Sequence, residues 1–325
     1  MQLSTFLERV EAQIQGALHQ HIASGLEGSR MLDEAGQHLS MAPGAKRARP
    51  RLVYHFGQAL GADLESLIDV AVAGEFIHAA SLLHDDVVDD GTLRRGRPTV
   101  NAKWNNAVAV LGGDVMLCTS IRTLASLPRP ITDEAVEVVA TMSRAAILEV
   151  ESRADASLSL ERWQAIAQGK TGVLFGWCGR SPARTVGNED AMERFKRCGE
   201  HLGLAFQMAD DLKDITSGDS GKNRFADILN RNPSYPILWA TSRDATLRQN
   251  LQTLWSNARA ITTEEADQFG QRILAQGAAD ATQEAMIRNV DLAFSALGPY
   301  KERPGGQEVV QWAQALCHLY LAQIA

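Results

Sequence analysis

The sequence predicts an all-α fold, a single large helical bundle, and three observations carry that prediction. Apolar residues recur at helical spacing along nearly the whole chain. Runs of β-branched residues with period-two alternation are scarce, so strands are expected to contribute little or nothing. Breaks in the pattern fall at short turn-rich stretches: Ala42-Pro43-Gly44, Gly91 to Pro98, Pro128-Arg129-Pro130, Ser217 to Gly221, Asn232 to Pro236 and Pro304-Gly305-Gly306. Helices are expected between them.

With 325 residues and 45% hydrophobic composition, the chain can bury a large core without disulfides or metal staples. No linker, composition shift or low-complexity run divides it, so residues 1–325 are read as one domain. The net charge of −7, with no basic stripe interleaved with aromatics, argues against nucleic acid and against electrostatic docking on anionic lipid. Cys118, Cys178, Cys198 and Cys317 are widely separated, lack metal-ligand spacing and follow no secretory signal, which points to a reducing cytoplasm. The stretch Leu64 to Leu83 is long enough to cross a bilayer. Because it carries Glu65, Asp69, Glu75 and His78, it reads as a buried core helix rather than a transmembrane segment.

Two expected helices, from about Leu64 to Asp89 and from about Cys198 to Ile215, are apolar almost all round, as at the centre of a bundle. Each ends in aspartates, which nothing in folding favours there. Asp85, Asp86 and Asp89 stand at i, i+1 and i+4, and Asp210, Asp211 and Asp214 repeat the spacing. Carboxylates four residues apart share a helix face, with Cβ atoms roughly 5–6 Å apart. Such a pair suits magnesium, which keeps one or two protein carboxylates, several waters and substrate phosphate oxygens. Like charges at a helix C-terminus also oppose its dipole, so something positive must compensate. One such cluster reads equally well as a solvated helix end; two, both closing apolar helices, read as a site.

Cations cluster nearby in sequence. Lys46, Arg47 and Arg49 follow a flexible turn, in the composition expected for gripping a multiply charged anion. Arg94, Arg95 and Arg97 lie just beyond the first aspartates, behind Gly91, and Lys222 follows the second. Gln168-Gly169-Lys170-Thr171-Gly172 places two glycines inside a helical pattern, which predicts a local break and exposed carbonyls. Such a carbonyl, the Thr171 hydroxyl and the Gln207 side chain can turn negative dipole ends toward a developing cation. Ordinary helix packing is the duller alternative for Thr171 and Gln207, and a hydrogen-bonded packing role is preferred for His84.

The segments Lys46-Arg47-Ala48-Arg49-Pro50, His84-Asp85-Asp86-Val87-Val88-Asp89, Leu93 to Thr99, Lys170-Thr171 and Phe206 to Asp211 occur in the order seen in trans-isoprenyl diphosphate synthases. Over roughly residues 40–240 the chain resembles a polyprenyl synthetase. The resemblance implies an isoprenoid-synthase-type bundle around a central cavity, a homodimer in the family's manner, and magnesium-dependent, head-to-tail addition of isopentenyl diphosphate to an allylic diphosphate. It implies three magnesium ions, with Asp85 and Asp89 holding two and Asp210 a third, while Asp86, Asp211 and Asp214 contribute directly or through water. It assigns Arg94, Lys170 and Lys222 to the allylic diphosphate, Lys46, Arg49, His78 and Arg95 to isopentenyl diphosphate, and Thr171 and Gln207 to the allylic carbon.

Departures from the family pattern are Ala45 for a glycine, Phe225 for a glycine after Lys222, Asn232 for a lysine, and the helix around Ile147 to Glu151. Ala80 and Ser81 lie about one turn before Asp85, on the expected wall of a growing tail, with Phe76 and Ile77 as its floor. In the family bulky residues at these places stop growth early, so the resemblance, with small residues at 80 and 81, implies a product longer than fifteen carbons. The alternatives are a class I terpene cyclase, which usually carries an Asn/Ser/Glu-type second metal motif in place of Asp210-Asp211-x-x-Asp214, and a non-catalytic partner subunit, which tends to lose metal ligands, whereas both clusters are complete here.

Overall fold

The computed structural model describes residues 1–20, 30–40, 47–94, 96–216 and 224–321. Lys46, Arg95, Lys222 and the expected loops at 42–44 and 217–221 lie outside the described residues. The described chain is helical nearly throughout: α1 (Leu3–Leu18), α2 (Arg30–Ser40), α3 (Ala48–Leu60), α4 (Ile68–Val88), α5 (Val100–Lys103), α6 (Asn106–Leu124), α7 (Arg129–Glu151), α8 (Leu160–Ala167), α9 (Val173–Thr185), α10 (Glu189–Thr216), α11 (Ala226–Leu229), α12 (Tyr235–Arg243), α13 (Ala245–Ser256), α14 (Thr263–Ala275), α15 (Ala278–Leu297) and α16 (Gly306–Leu321). Among the described residues the strands are two-residue β1 (Leu93–Arg94) and β2 (Arg97–Pro98), paired antiparallel as a small hairpin.

Helix starts follow capping chemistry. The side chains of Thr99, Asn105, Ser159 and Asp244 accept backbone N–H groups of the first turns of α5, α6, α8 and α13, and Thr262 with Glu265 forms a capping box on α14. Several expected boundaries move. Pro130 and Pro236 sit inside the first turns of α7 and α12, where a missing N–H costs nothing, rather than in loops. The helix expected from Cys198 begins at Glu189, because Asn188 caps an amphipathic leading segment through the Ala191 N–H. A 3₁₀ turn, Leu64–Leu67, precedes α4.

The chain divides into two compact units. The first comprises residues 1–139, 177–196 and 299–309. Here α1 buries Phe6, Val10, Ile14 and Leu18, one face at four-residue spacing. Helix α4 is buried on almost every side until its last turn and packs along α6. Gly113 on α6 admits the His84 ring; a Cβ there would fall 2.2 Å from Nε2, which instead contacts the Val110 carbonyl at 3.1 Å. His84 is thus the packing histidine expected. Both Leu64–Val88 and Asn106–Leu124 are long and apolar enough to cross a membrane, the first 72% and the second 39% buried.

The second unit comprises residues 140–176, 197–298 and 310–325. Its core gathers Leu212, Ile215, Phe225, Ile228, Ile237, Leu251, Trp255 and Ile273 from α10 to α14. The expected break at Gln168–Gly172 is a π-helical turn between α8 and α9. It is held by close backbone approach to α10: a Cβ on Gly203 would lie 2.7 Å from the Gly172 Cα and 3.2 Å from the Thr171 carbonyl oxygen. Glycine at 203 is what lets the backbones meet there.

Candidate active site

In the first unit, the aspartates close α4. Asp85 is half-buried and Asp89, the residue capping the helix, is exposed. Asp86 differs: it is 5% exposed and takes a two-point contact from Arg94, with Nη2 to Oδ1 at 2.8 Å and Nε to Oδ1 and Oδ2 both at 3.1 Å. This fork neutralises the most buried charge of the three, which also opposes the helix dipole. The loop that brings Arg94 back is fastened by Asn101 Nδ2, which donates to the carbonyls of Asp86 (3.2 Å) and Gly91 (3.0 Å), and by the Thr99 hydroxyl on the Gly91 carbonyl at 2.7 Å. Arg94 keeps a partly exposed edge for a further anion.

The basic face of this unit begins at Arg47, whose Nη1 donates to Glu75 Oε2 at 2.8 Å with both side chains buried. Arg49 is also buried, at 8% exposure, in the first turn of α3. His78 lies half-buried on α4. Phe76, Ile77 and Ala80 are fully enclosed, whereas Ser81 is half-buried and donates to the His78 carbonyl at 2.9 Å.

The second unit repeats the logic of the first cluster. Asp210 is exposed, while Asp211 is 6% exposed and accepts from Gln207 Nε2 at 3.0 Å and from the Tyr235 N–H at 2.9 Å. Since Nε2 is engaged, Gln207 offers Oε1 to the Thr171 hydroxyl, which donates at 3.1 Å. In this arrangement the Thr171 proton is committed to Gln207. Asp214 accepts the backbone N–H groups of Ala226 (3.1 Å) and Asp227 (3.2 Å). Burial, then the charge of Asp227, push both Asp211 and Asp214 up to about 8.

Lys170, in the π-helical turn, forms an ion pair with Glu149 of α7. The two line a pocket with Ser152, Gln207, Asp211 and Asn232. Asn232, standing where the family has lysine, donates to Asp227 Oδ1 at 3.0 Å. Phe225 and Arg231 take φ of +62° and +55°, left-handed conformations that glycine adopts freely, so the glycine that the resemblance leads one to expect at 225 would sit there without strain.

Sequence reasoning missed Glu75, Glu149, Asn101 and Asp227 as parts of these sites. Glu75 and Glu149 carried a signal, a carboxylate inside an apolar helix and a departure from the family pattern; Asn101 and Asp227 carried none. Among the described residues no three His, Cys, Asp or Glu side chains converge to hold a metal unaided. The hard-oxygen donors of Asp85 and Asp89 in the first unit, and of Asp210 in the second, are of the kind that suits a cation arriving with diphosphate and waters.

A polyprenyl synthetase family model matches residues 29–270. The chain belongs to the polyprenyl synthetase family. It is 34% identical over 247 residues to heptaprenyl diphosphate synthase component 2 of Geobacillus stearothermophilus, covering 74% of each chain. Geranylgeranyl and farnesyl diphosphate synthases of Mycobacterium tuberculosis are also relatives. Its fold matches a decaprenyl diphosphate synthase from Rhodobacter capsulatus with a TM-score of 0.88 at 26% identity, over 98% of this chain and 97% of that one. It also matches a polyprenyl synthase from Caulobacter crescentus CB15, complexed with calcium and isoprenyl diphosphate, with a TM-score of 0.85 at 27% identity, over 97% and 96%. The expected all-α isoprenoid synthase fold and the expected family both stand.

Proposed function

We propose that the chain is a magnesium-dependent trans-prenyltransferase that condenses isopentenyl diphosphate head-to-tail with an allylic diphosphate, releasing pyrophosphate and a linear product longer than fifteen carbons. The observation that carries the reading is the doubled arrangement of a buried, hydrogen-bonded second aspartate after a more exposed first one, at Asp86/Asp85 and at Asp211/Asp210. Three magnesium ions, on Asp85, Asp89 and Asp210, supply charge stabilisation for the departing diphosphate when bound.

Arg94, Lys170 and Lys222 hold that diphosphate, so that the allylic C–O bond breaks toward fixed positive charge. Thr171 Oγ1, with its proton committed to Gln207, faces the resulting carbocation with lone pairs and no acidic hydrogen. Lys46, Arg49, His78 and Arg95 hold isopentenyl diphosphate, whose double bond attacks the cation. The proton then lost goes to the released pyrophosphate, since no protein base is assigned there. Ala80 and Ser81, with Phe76 and Ile77 beneath, limit product length.

The family model runs through segments of both units, which supports reading residues 1–325 as one functional domain. The apolar exposed face of α6, with Val110, Leu111 and Ile121, supports a homodimer. The 72% burial of the apolar window within Leu64–Val88 supports a core helix rather than a membrane span, in keeping with the proposed soluble, cytoplasmic chain. A second reading, a subunit that needs a different chain to act, is favoured by the name component 2 of the Geobacillus relative. Incubating purified chain with labelled isopentenyl diphosphate, farnesyl diphosphate and magnesium separates the readings. A longer linear prenyl diphosphate that disappears with chelator is the expected result; no product identifies an incomplete subunit, and a cyclic hydrocarbon a terpene cyclase.

A further inference from the structure

The first unit contains a buried ion pair that the reaction as described does not use. Glu75 sits inside α4, the most apolar helix of the unit, at 8% exposure, and its partner Arg47 is equally buried. A carboxylate placed there is costly unless it is paired, and Arg47 Nη1 pairs it at 2.8 Å. Arg47 is itself unusual: it precedes α3 with φ +47°, in the left-handed region, and its carbonyl accepts the Arg51 N–H that starts the helix. A residue with a Cβ stays in that region only where its surroundings over-determine it. Here Glu75 from α4 and Glu11 from α1, the latter 3.4 Å from Nε, grip the guanidinium.

Two residues on, Arg49 passes the same stretch of α4, with a Cβ at Gly74 falling 3.9 Å from the Arg49 Cβ. His78 follows Glu75 at i+3, on a shared helix face. We infer that Glu75 is a positioning residue for isopentenyl diphosphate: by holding Arg47 in its left-handed conformation it fixes the entry to α3, and with it the direction of Arg49. This rests on the proposed assignment of Arg49 to that substrate, and nothing in the chemistry requires Glu75 to touch substrate.

The test is steady-state kinetics on the full chain with farnesyl diphosphate as primer, measuring KM for each substrate. Glu75→Gln is expected to raise KM for isopentenyl diphosphate about tenfold or more, as misplaced binding groups do, while KM for farnesyl diphosphate stays within about twofold. The double variant Glu75→Leu/Arg47→Gly leaves no unpaired buried charge, and glycine takes the left-handed conformation freely. It is expected to recover most of the affinity that Glu75→Leu loses, and it decides the matter if Glu75→Gln does not fold; a double variant still selectively weak for isopentenyl diphosphate overturns the inference. Parallel rises in both KM values with a lowered melting temperature also overturn it, because they report a merely structural pair. Arg49→Ala separates the inference from its basis. If Arg49→Ala weakens isopentenyl diphosphate and Glu75→Gln does not, the positioning role is wrong and the assignment of Arg49 stands; if Arg49→Ala changes nothing, the assignment fails and takes the inference with it.

Discussion

Replacing Phe225 sets two opposing effects against each other. Its left-handed backbone costs a residue with a Cβ about 1–2 kcal/mol, which glycine would recover. Its ring is fully buried and lies directly over Gly270, where a Cβ would fall 2.3 Å from Cε1, so removing it leaves a cavity. Truncating a buried Phe costs about 3–5 kcal/mol. The cavity wins: Phe225→Gly is expected to destabilise the second unit by about 1–4 kcal/mol. Phe225→Ala forms nearly the same cavity and keeps the backbone strain, so it should be the worse variant by about 1 kcal/mol. That order is the reverse of the usual preference for alanine over glycine. Phe225→Gly/Gly270→Ala should regain part of the loss, since the new methyl group enters the vacated space. Urea unfolding followed by circular dichroism and tryptophan fluorescence measures all four proteins; an alanine variant more stable than the glycine variant would show that the φ of Phe225 stores no strain.

Ala80→Phe should shorten the product, because Ala80 has no exposed surface and a phenyl group there must intrude on its surroundings; chromatography with an unchanged profile would remove Ala80 from the tail wall. Thr171→Val keeps shape but deletes the hydroxyl that orients on Gln207, and kcat should fall about tenfold, equivalent to ~1.4 kcal/mol, in single-turnover assays. The pH dependence of stability without magnesium has a definite sign. Asp211 and Asp214 bind protons more tightly folded, at about 8, than unfolded, at 3.8, so stability should fall as pH rises from about 4 to about 8 and level off above. Thermal melts in chelator should show this fall, and Asp227→Asn should reduce it by removing the neighbouring charge.

The helical fold was legible because apolar spacing at 3.6 residues is a strong signal, and both aspartate clusters were visible as charges that burial alone does not explain. What the sequence could not distinguish was the first aspartate of each cluster from the second. Asp85 and Asp86 look alike in a string; only the return of Arg94 through the β1–β2 hairpin, and the arrival of the Tyr235 N–H at Asp211, mark out the enclosed carboxylate of each cluster. The break at Lys170-Thr171 was readable from Gly169 and Gly172, but its π-helical form depends on the close approach of Gly203, thirty-odd residues away. The Arg47–Glu75 pair was hidden for the same reason: each partner was noticed separately, one as a basic-loop residue and the other as a charge in an apolar helix.

The account depends on the proposal that the carboxylates of Asp85 and Asp210 serve one magnesium-diphosphate reaction. The direct measurement is condensation of labelled isopentenyl diphosphate with farnesyl diphosphate by Asp85→Ala and Asp210→Ala, each first shown by circular dichroism to be folded. The account predicts that each variant loses activity by about a thousandfold or more, as expected when charge stabilisation of a transition state is removed. Near-wild-type turnover by either folded variant would contradict it.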